Sequence, residues 1–149
     1  MPPSKPCRDE GSASLEFITA GLLLLVPVVY LVLVMAAVQG GALATEGAAR
    51  QAARVFVQAE DDADARSRAQ TAVNFGLADF GMKQATTEVK ITCRPHPDAC
   101  LTRRGFVTVT VTTFVPLPLV PSILSFASPL VVPMAATSTE QVSRFWGAG

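Results

Sequence analysis

FITAGLLLLVPVVYLVLVMAAV, from Phe17 to Val38, runs for 22 residues without a single charge. As a helix rising about 1.5 Å per residue it spans roughly 33 Å, close to the ~30 Å hydrocarbon core of a bilayer. The uncharged stretch continues to Thr45, and Glu46 is the first charge after it. Pro27 removes one backbone hydrogen bond and is expected to kink the helix, a fault that bilayer helices tolerate. Tyr30 needs only a neighbour to bury against. The competing reading is the central helix of a soluble core, and it fails on size, because the rest of the chain is too small to wrap it. The segment is expected to enter a membrane.

The remainder, in a chain of 149 residues, suits one small domain. Half of the residues are hydrophobic, 16% are charged and the formal net charge is zero. There is no Lys/Arg excess or basic stripe of the kind a nucleic-acid binder carries, so no nucleic-acid partner is expected. The composition also lacks the low hydrophobicity and high net charge of a disordered chain.

Upstream, residues 1–16 read MPPSKPCRDEGSASLE. Three prolines among the first six residues oppose helix there. Lys5, Arg8 and the amino terminus form a modest positive cluster, followed at once by Asp9 and Glu10. A helix can begin near Ser12, with Ser12 or Ser14 as its N-cap. Gly11 marks the boundary, and its flexibility suits a protease that must bind an extended strand. Glu16 is the unusual residue. A carboxylate one position before the apolar run is unfavourable, though less so than the roughly 2.5–3.5 kcal/mol charged at the bilayer centre. The helix dipole offsets a few tenths of a kcal/mol of this, and the side chain can also reach the headgroups.

The run Gly11-Ser12-Ala13-Ser14-Leu15-Glu16-Phe17, after a short leader and before a long apolar helix, resembles the processing site of type IV prepilins. In that family a membrane aspartyl peptidase cuts after the glycine, on the cytoplasmic side, and residue five of the product is glutamate, often followed by an aromatic residue. The resemblance implies a cut between Gly11 and Ser12, with prepilin peptidase as a partner and Glu16 as the fifth mature residue. Such a cut creates an α-amine on Ser12, with a pKa near ~8 and so mostly protonated at neutral pH. Glu16 of a neighbouring subunit can pair with that cation and set the register of adjacent helices. Ser12 and Glu16 are also i and i+4, so a pair within one chain is equally open. The rival reading is a secretory signal peptide cut after Ala42-Leu43-Ala44, before Thr45. The apolar run exceeds the usual 7–15-residue core of a signal peptide, which favours retention.

Positive charge does not decide the orientation, since Lys5 and Arg8 before the span are balanced by Arg50 and Arg54 after it. Cysteines are more informative. Cys7 lies in the leader, which leaves Cys93 and Cys100 to close the loop CRPHPDAC. An oxidising exterior favours a disulfide there, worth about 2–3 kcal/mol. A metal site using Cys93, Cys100 and His96 lacks a fourth ligand and matches no CxxC spacing, so no metal is expected. His96, between two prolines, reads as a solvent-facing loop residue. The expected topology is N-terminus cytoplasmic and C-terminal domain outside, in the cytoplasmic membrane.

Beyond the span, ALATEGAARQAARVFVQA (residues 42–59) is helical in character, with Glu46 and Arg50 at i,i+4. The membrane helix is expected to continue through it, with a bend at Gly40-Gly41. An Asp of the run Glu60–Asp64 should cap a second helix whose apolar positions are Ala69, Val73, Leu77 and Phe80, with Gly81 as the stop. The acidic run lacks the ligand alternation and turn glycine of an EF-hand. Glu88–Cys93 and Phe106–Thr112 both alternate, which predicts an antiparallel hairpin with one apolar and one polar face. FVPLPLVPSILSFASPLVVPM (residues 114–134) has five prolines and no charge, and is expected to be an apolar surface loop, excluded from any central strand. A third strand is expected over Leu130–Glu140. The expected class is thus α+β. The boundaries are residues 1–11 as leader, 12–41 as transmembrane helix and 42–149 as an external domain with about three strands.

No phosphate loop, nucleophile arrangement or cofactor motif occurs, so neither an enzyme, a cofactor nor a small-molecule substrate is expected. The threonines at 108, 110, 112 and 113 read as strand residues. Over about residues 8–145 the chain resembles the TadE-like pseudopilins of tight-adherence (Flp-type) pilus systems. The features that carry this are Gly11, Ser12, Glu16-Phe17, the Leu-rich span with Pro27 and the Ala/Arg helix from Gly47 to Arg54. Later come the Val/Thr strand, Val115-Pro116-Leu117-Pro118-Leu119-Val120-Pro121, and a closing strand through Ala135-Ala136-Thr137. The resemblance implies a minor pilin-like subunit that initiates, primes or caps a pilus or joins a secretion platform, with other pilins as partners. The other reading is an unprocessed, membrane-tethered binding domain.

Overall fold

The computed structural model describes residues 12–83, 86–118 and 130–147. Its elements follow one another as α1 (Ser12–Val57), α2 (Asp62–Asp79), β1 (Thr87–Arg94), β2 (Phe106–Pro116) and β3 (Val131–Gln141). The class is α+β, as the change from helical to alternating periodicity indicates. The chain divides into two compact units between Met35 and Ala36.

The first unit is helix alone among its described residues. Leu, Ala and Val side chains fill it, and α1 is unbroken through Pro27 and later through Gly40-Gly41. No residue of the apolar stretch of α1 is buried among the described residues, and α1 is long and apolar enough to cross a membrane.

The second unit packs two helices on a three-stranded sheet. Here α1 changes character, and Ala44, Ala48, Ala49, Ala52, Ala53 and Phe56 are all buried. Small side chains let α2 approach closely: a Cβ on Gly76 would lie 3.4 Å from the Ala48 Cα. Glu46 and Arg50 form the expected ion pair on the outer side of α1.

Asp61 caps α2, accepting a hydrogen bond from the Asp64 backbone N–H at 2.8 Å, and Asp62 and Asp64 occupy the first turn, where the dipole favours anions. Asp64 also binds Arg68 Nε at 2.7 Å, which holds that guanidinium above its ordinary pKa. The helix stops where expected. Gly81 adopts φ 77°, a left-handed conformation that glycine takes without strain, and Met82 N–H donates back to the Leu77 carbonyl at 3.0 Å. Ala65, Ala69, Val73 and Leu77 are buried as a stripe. Phe80 does not extend that stripe. It is the C-cap, already out of helical geometry, and is 54% exposed.

The sheet order is β1-β2-β3, antiparallel throughout. Val107, Val109 and Val111 of the central strand are fully buried, while Thr108, Thr110 and Thr112 face outward. Two outward threonines bond across to β3, Thr108 with Thr139 at 2.8 Å and Thr110 with Thr137 at 3.0 Å. Val89 and Ile91 pack against the core and Cys93 is buried in it, so the face assigned to them is correct.

The proline-rich segment requires a correction at its start, while its end opens the third strand expected over Leu130–Glu140. Phe114, Val115 and Pro116 complete the central strand β2, and Val131 to Met134 open β3, with Phe114 opposite Pro133 and Pro116 opposite Val131. Residues 119–129 of the expected loop lie outside the described residues. Two geometric facts admit the prolines. The Phe114 N–H points to Thr86 on the β1 side. Pro116, two residues on, therefore aims its missing N–H to that same side, past the last β1–β2 pair at Thr87–Thr113. Pro133 sits opposite a Phe114 whose N–H is turned away, so its nitrogen faces the open edge of the sheet, where proline is tolerated.

Gly41 supplies a test of how tightly α1 lies on the sheet. A Cβ there would collide with Val115 Cγ2, whereas one on Gly40 meets nothing within 4 Å. Gly41→Ala is expected to destabilise the packed unit by about 1–3 kcal/mol. Gly40→Ala should be neutral or stabilise by up to ~1 kcal/mol through helix propensity. Thermal unfolding of the two full-length variants in detergent measures the contrast.

Candidate assembly site at the start of the apolar helix

Leucine and alanine, strong helix formers, start α1 at Ser12 and carry it through Glu16 and Phe17. Ser12 and Glu16 are one turn apart on the same side of the helix. Gly11, the other residue of the expected cleavage site, lies outside the described residues. Thr19 Oγ1 donates to the Leu15 carbonyl at 2.7 Å, so its hydroxyl is satisfied locally and leaves Glu16 alone. Among the described residues Glu16 has neither an ion-pair nor a hydrogen-bond partner. Its neighbours Leu15, Phe17 and Ile18 are exposed, Phe17 at 80%. A lone carboxylate therefore stands at the start of a bare apolar rod. Such an arrangement performs no chemistry by itself. It can accept a cation brought to it while its apolar neighbours pack against lipid or other helices.

The second set of singled-out residues lies in the packed unit. Cys93 and Cys100 are joined by a disulfide, with Cα atoms 5.1 Å apart, and both are nearly buried. His96 points to solvent between them, as expected of a loop residue. No group of His, Cys, Asp or Glu suited to a metal ion occurs among the described residues.

The loop braced by the disulfide is held to the C-terminal turn by contacts that sequence reasoning missed. Arg104 N–H donates to the Val142 carbonyl at 3.2 Å, and Val142 N–H donates to the Gly105 carbonyl at 2.8 Å. Arg103 Nε donates to the Trp146 carbonyl at 2.9 Å, and Trp146 Nε1 donates to the Ala59 carbonyl at 3.0 Å. Val142 is a core residue. Its one sequence signal is that it is apolar and follows the polar end of β3.

No family model, curated protein or solved structure matches this chain.

The paired substitution Cys93→Ser with Cys100→Ser is expected to lower stability by about 2–3 kcal/mol, the chain-entropy value for so short a loop. Urea unfolding with and without reductant checks it: reductant should shift the unsubstituted protein and leave the double variant unmoved.

Proposed function

We propose that this chain is a minor pilin-like subunit of a tight-adherence type IV pilus or related secretion platform, a TadE-like pseudopilin. The observation that carries the reading is Glu16, unpartnered among the described residues, one turn after Ser12 at the head of an uncovered apolar helix. Prepilin peptidase hydrolyses the Gly11–Ser12 bond on the cytoplasmic side. Water supplies the oxygen of a new Gly11 carboxylate, and Ser12 is left with a free amine that takes up a proton near neutral pH. The ammonium and the Glu16 carboxylate of an adjacent subunit neutralise each other, removing from the apolar environment two charges that are each unfavourable there.

With that pair made, the helix leaves the bilayer sideways into a bundle of similar helices, held by side-chain packing along Phe17 to Val38. The packed unit lies outside the membrane, where an oxidising compartment maintains the Cys93–Cys100 disulfide. There it makes the contacts that distinguish this subunit from its neighbours. The role is assembly, without catalysis, cofactor or small-molecule substrate.

The test is the intact mass of the protein isolated from its native cell. The reading expects loss of residues 1–11 and a start at Ser12. An intact N-terminus supports the unprocessed tether instead, and a start at Thr45 supports secretion. Gly11→Leu is expected to block cleavage. Glu16→Ala should be cleaved normally yet enter assemblies poorly, by tenfold or more, as read by quantitative immunoblot of sheared filaments. Equal incorporation of both variants contradicts the division of roles.

A further inference from the structure

The packed unit carries a second surface, distinct from the Glu16 end of α1. Across the outer face of the sheet the strand register lines up Arg94, Phe106 and Gln141 in one row. Thr92, Thr108 and Thr139 form the next row, and Lys90, Thr110 and Thr137 the one after. All nine side chains are exposed or half-exposed. Phe106, 46% exposed, is thus an aromatic platform beside two rows of hydroxyls, with cations on the β1 column.

The loops at the Phe106 end add more positive charge. Residues 94–105 and 141–147 contain Arg94, Arg103, Arg104 and Arg144 against Asp98 alone, a net +3 with His96 neutral, in a chain whose formal net charge is zero. The ion pairs found among the described residues involve Arg50 and Arg68, so none of these four arginines is neutralised by a carboxylate there. Arg104 is the only non-glycine residue at positive φ among the described residues, at 60°. Glycine or asparagine would take that conformation with less strain, and the strained arginine stands on a loop fixed by the disulfide and by the Arg104–Val142 hydrogen bond.

We propose that this face binds a carboxylate-bearing polysaccharide. Guanidinium forks grip carboxylates in bidentate fashion, the C–H face of a sugar ring rests on an exposed aromatic, and sugar hydroxyls exchange hydrogen bonds with a threonine array. Arg94, Phe106 and the threonine rows supply these groups on one face of the sheet. A single-stranded nucleic acid is the less suitable occupant, because successive bases stack on several aromatics and Phe106 is the single aromatic in these three rows. An acidic peptide would use the arginines but not the hydroxyl rows. The inference concerns the packed unit alone, so a chain that keeps residues 1–11 binds the same polymer.

The experiment uses the full-length protein in phosphatidylcholine nanodiscs, with polygalacturonate as the probe. Uncharged dextran, polyglutamate and oligo-dT serve as comparison polymers. The expected result is saturable binding of polygalacturonate, at least tenfold tighter than polyglutamate or oligo-dT of equal charge, and none of dextran. Arg94→Ala and Phe106→Ser should each weaken it at least tenfold, with thermal unfolding confirming that they fold, while Arg66→Ala on α2 leaves it unchanged. Arg104→Gly is the deciding variant. Glycine accepts φ 60° freely, so its melting temperature should hold or rise while binding falls at least fivefold. Absence of polygalacturonate binding, equal binding of polyglutamate or oligo-dT, or full binding by Arg104→Gly overturns the proposal.

Discussion

From Leu15 to Met35 no described residue buries the apolar side chains of α1, and this governs what the rest can be. About a dozen Leu, Val, Ile and Phe side chains in that stretch are exposed. At roughly 1.5–3 kcal/mol for each large apolar side chain left in water, the penalty is of order ~20–35 kcal/mol. That exceeds the whole stability of an ordinary domain, about 5–15 kcal/mol. The packed unit has a core of its own, filled by its alanines and valines around Phe56. In the proposed reading, lipid tails or the apolar flanks of other helices serve as the solvent for this part of α1, which is long and apolar enough to cross a membrane. A carboxylate stands at the head of that helix without a partner among the described residues.

The second half of α1 solves a different problem with the same helix. Beyond Met35 the large residues give way to alanine, and Gly41 is so close to Val115 that no side chain fits between them. Thr45, fully buried, returns its hydroxyl to the Gly41 carbonyl at 2.7 Å, so a polar residue is accommodated without an orphaned donor. Small side chains here give up hydrophobic burial per residue in exchange for short distances to α2 and the sheet.

Much of this was legible in the sequence because the signals are local. The period of two in Phe106–Thr112, the Asp cap of α2, the Gly81 stop and the short Cys93–Cys100 loop each depend on residues a few positions apart. Phe80 was misplaced because spacing alone does not reveal where a helix has ended. Pro116 counted against a central strand, yet it points its missing donor where no partner is required, as Pro133 does in the third strand, and that depends on which side each N–H faces. Trp146 reaching Ala59 and Arg104 bound to Val142 join distant segments and leave no local pattern. For the assembly site, the sequence indicates the Glu16 and Ser12 spacing and the apolar rod, and the structure adds that Glu16 has no partner among the described residues. In the proposed assembly, what answers that charge comes from a second molecule.

The most direct measurement is solid-state NMR on the protein in its assembled native form, mixing chains labelled with 15N and chains labelled with 13C. A dipolar correlation between a Ser12 nitrogen with an ammonium shift and the Glu16 side-chain carboxylate of a different chain is the expected result. A Ser12 nitrogen that still resonates as an amide, or a Glu16 carboxylate with no nitrogen near it, contradicts the central claim.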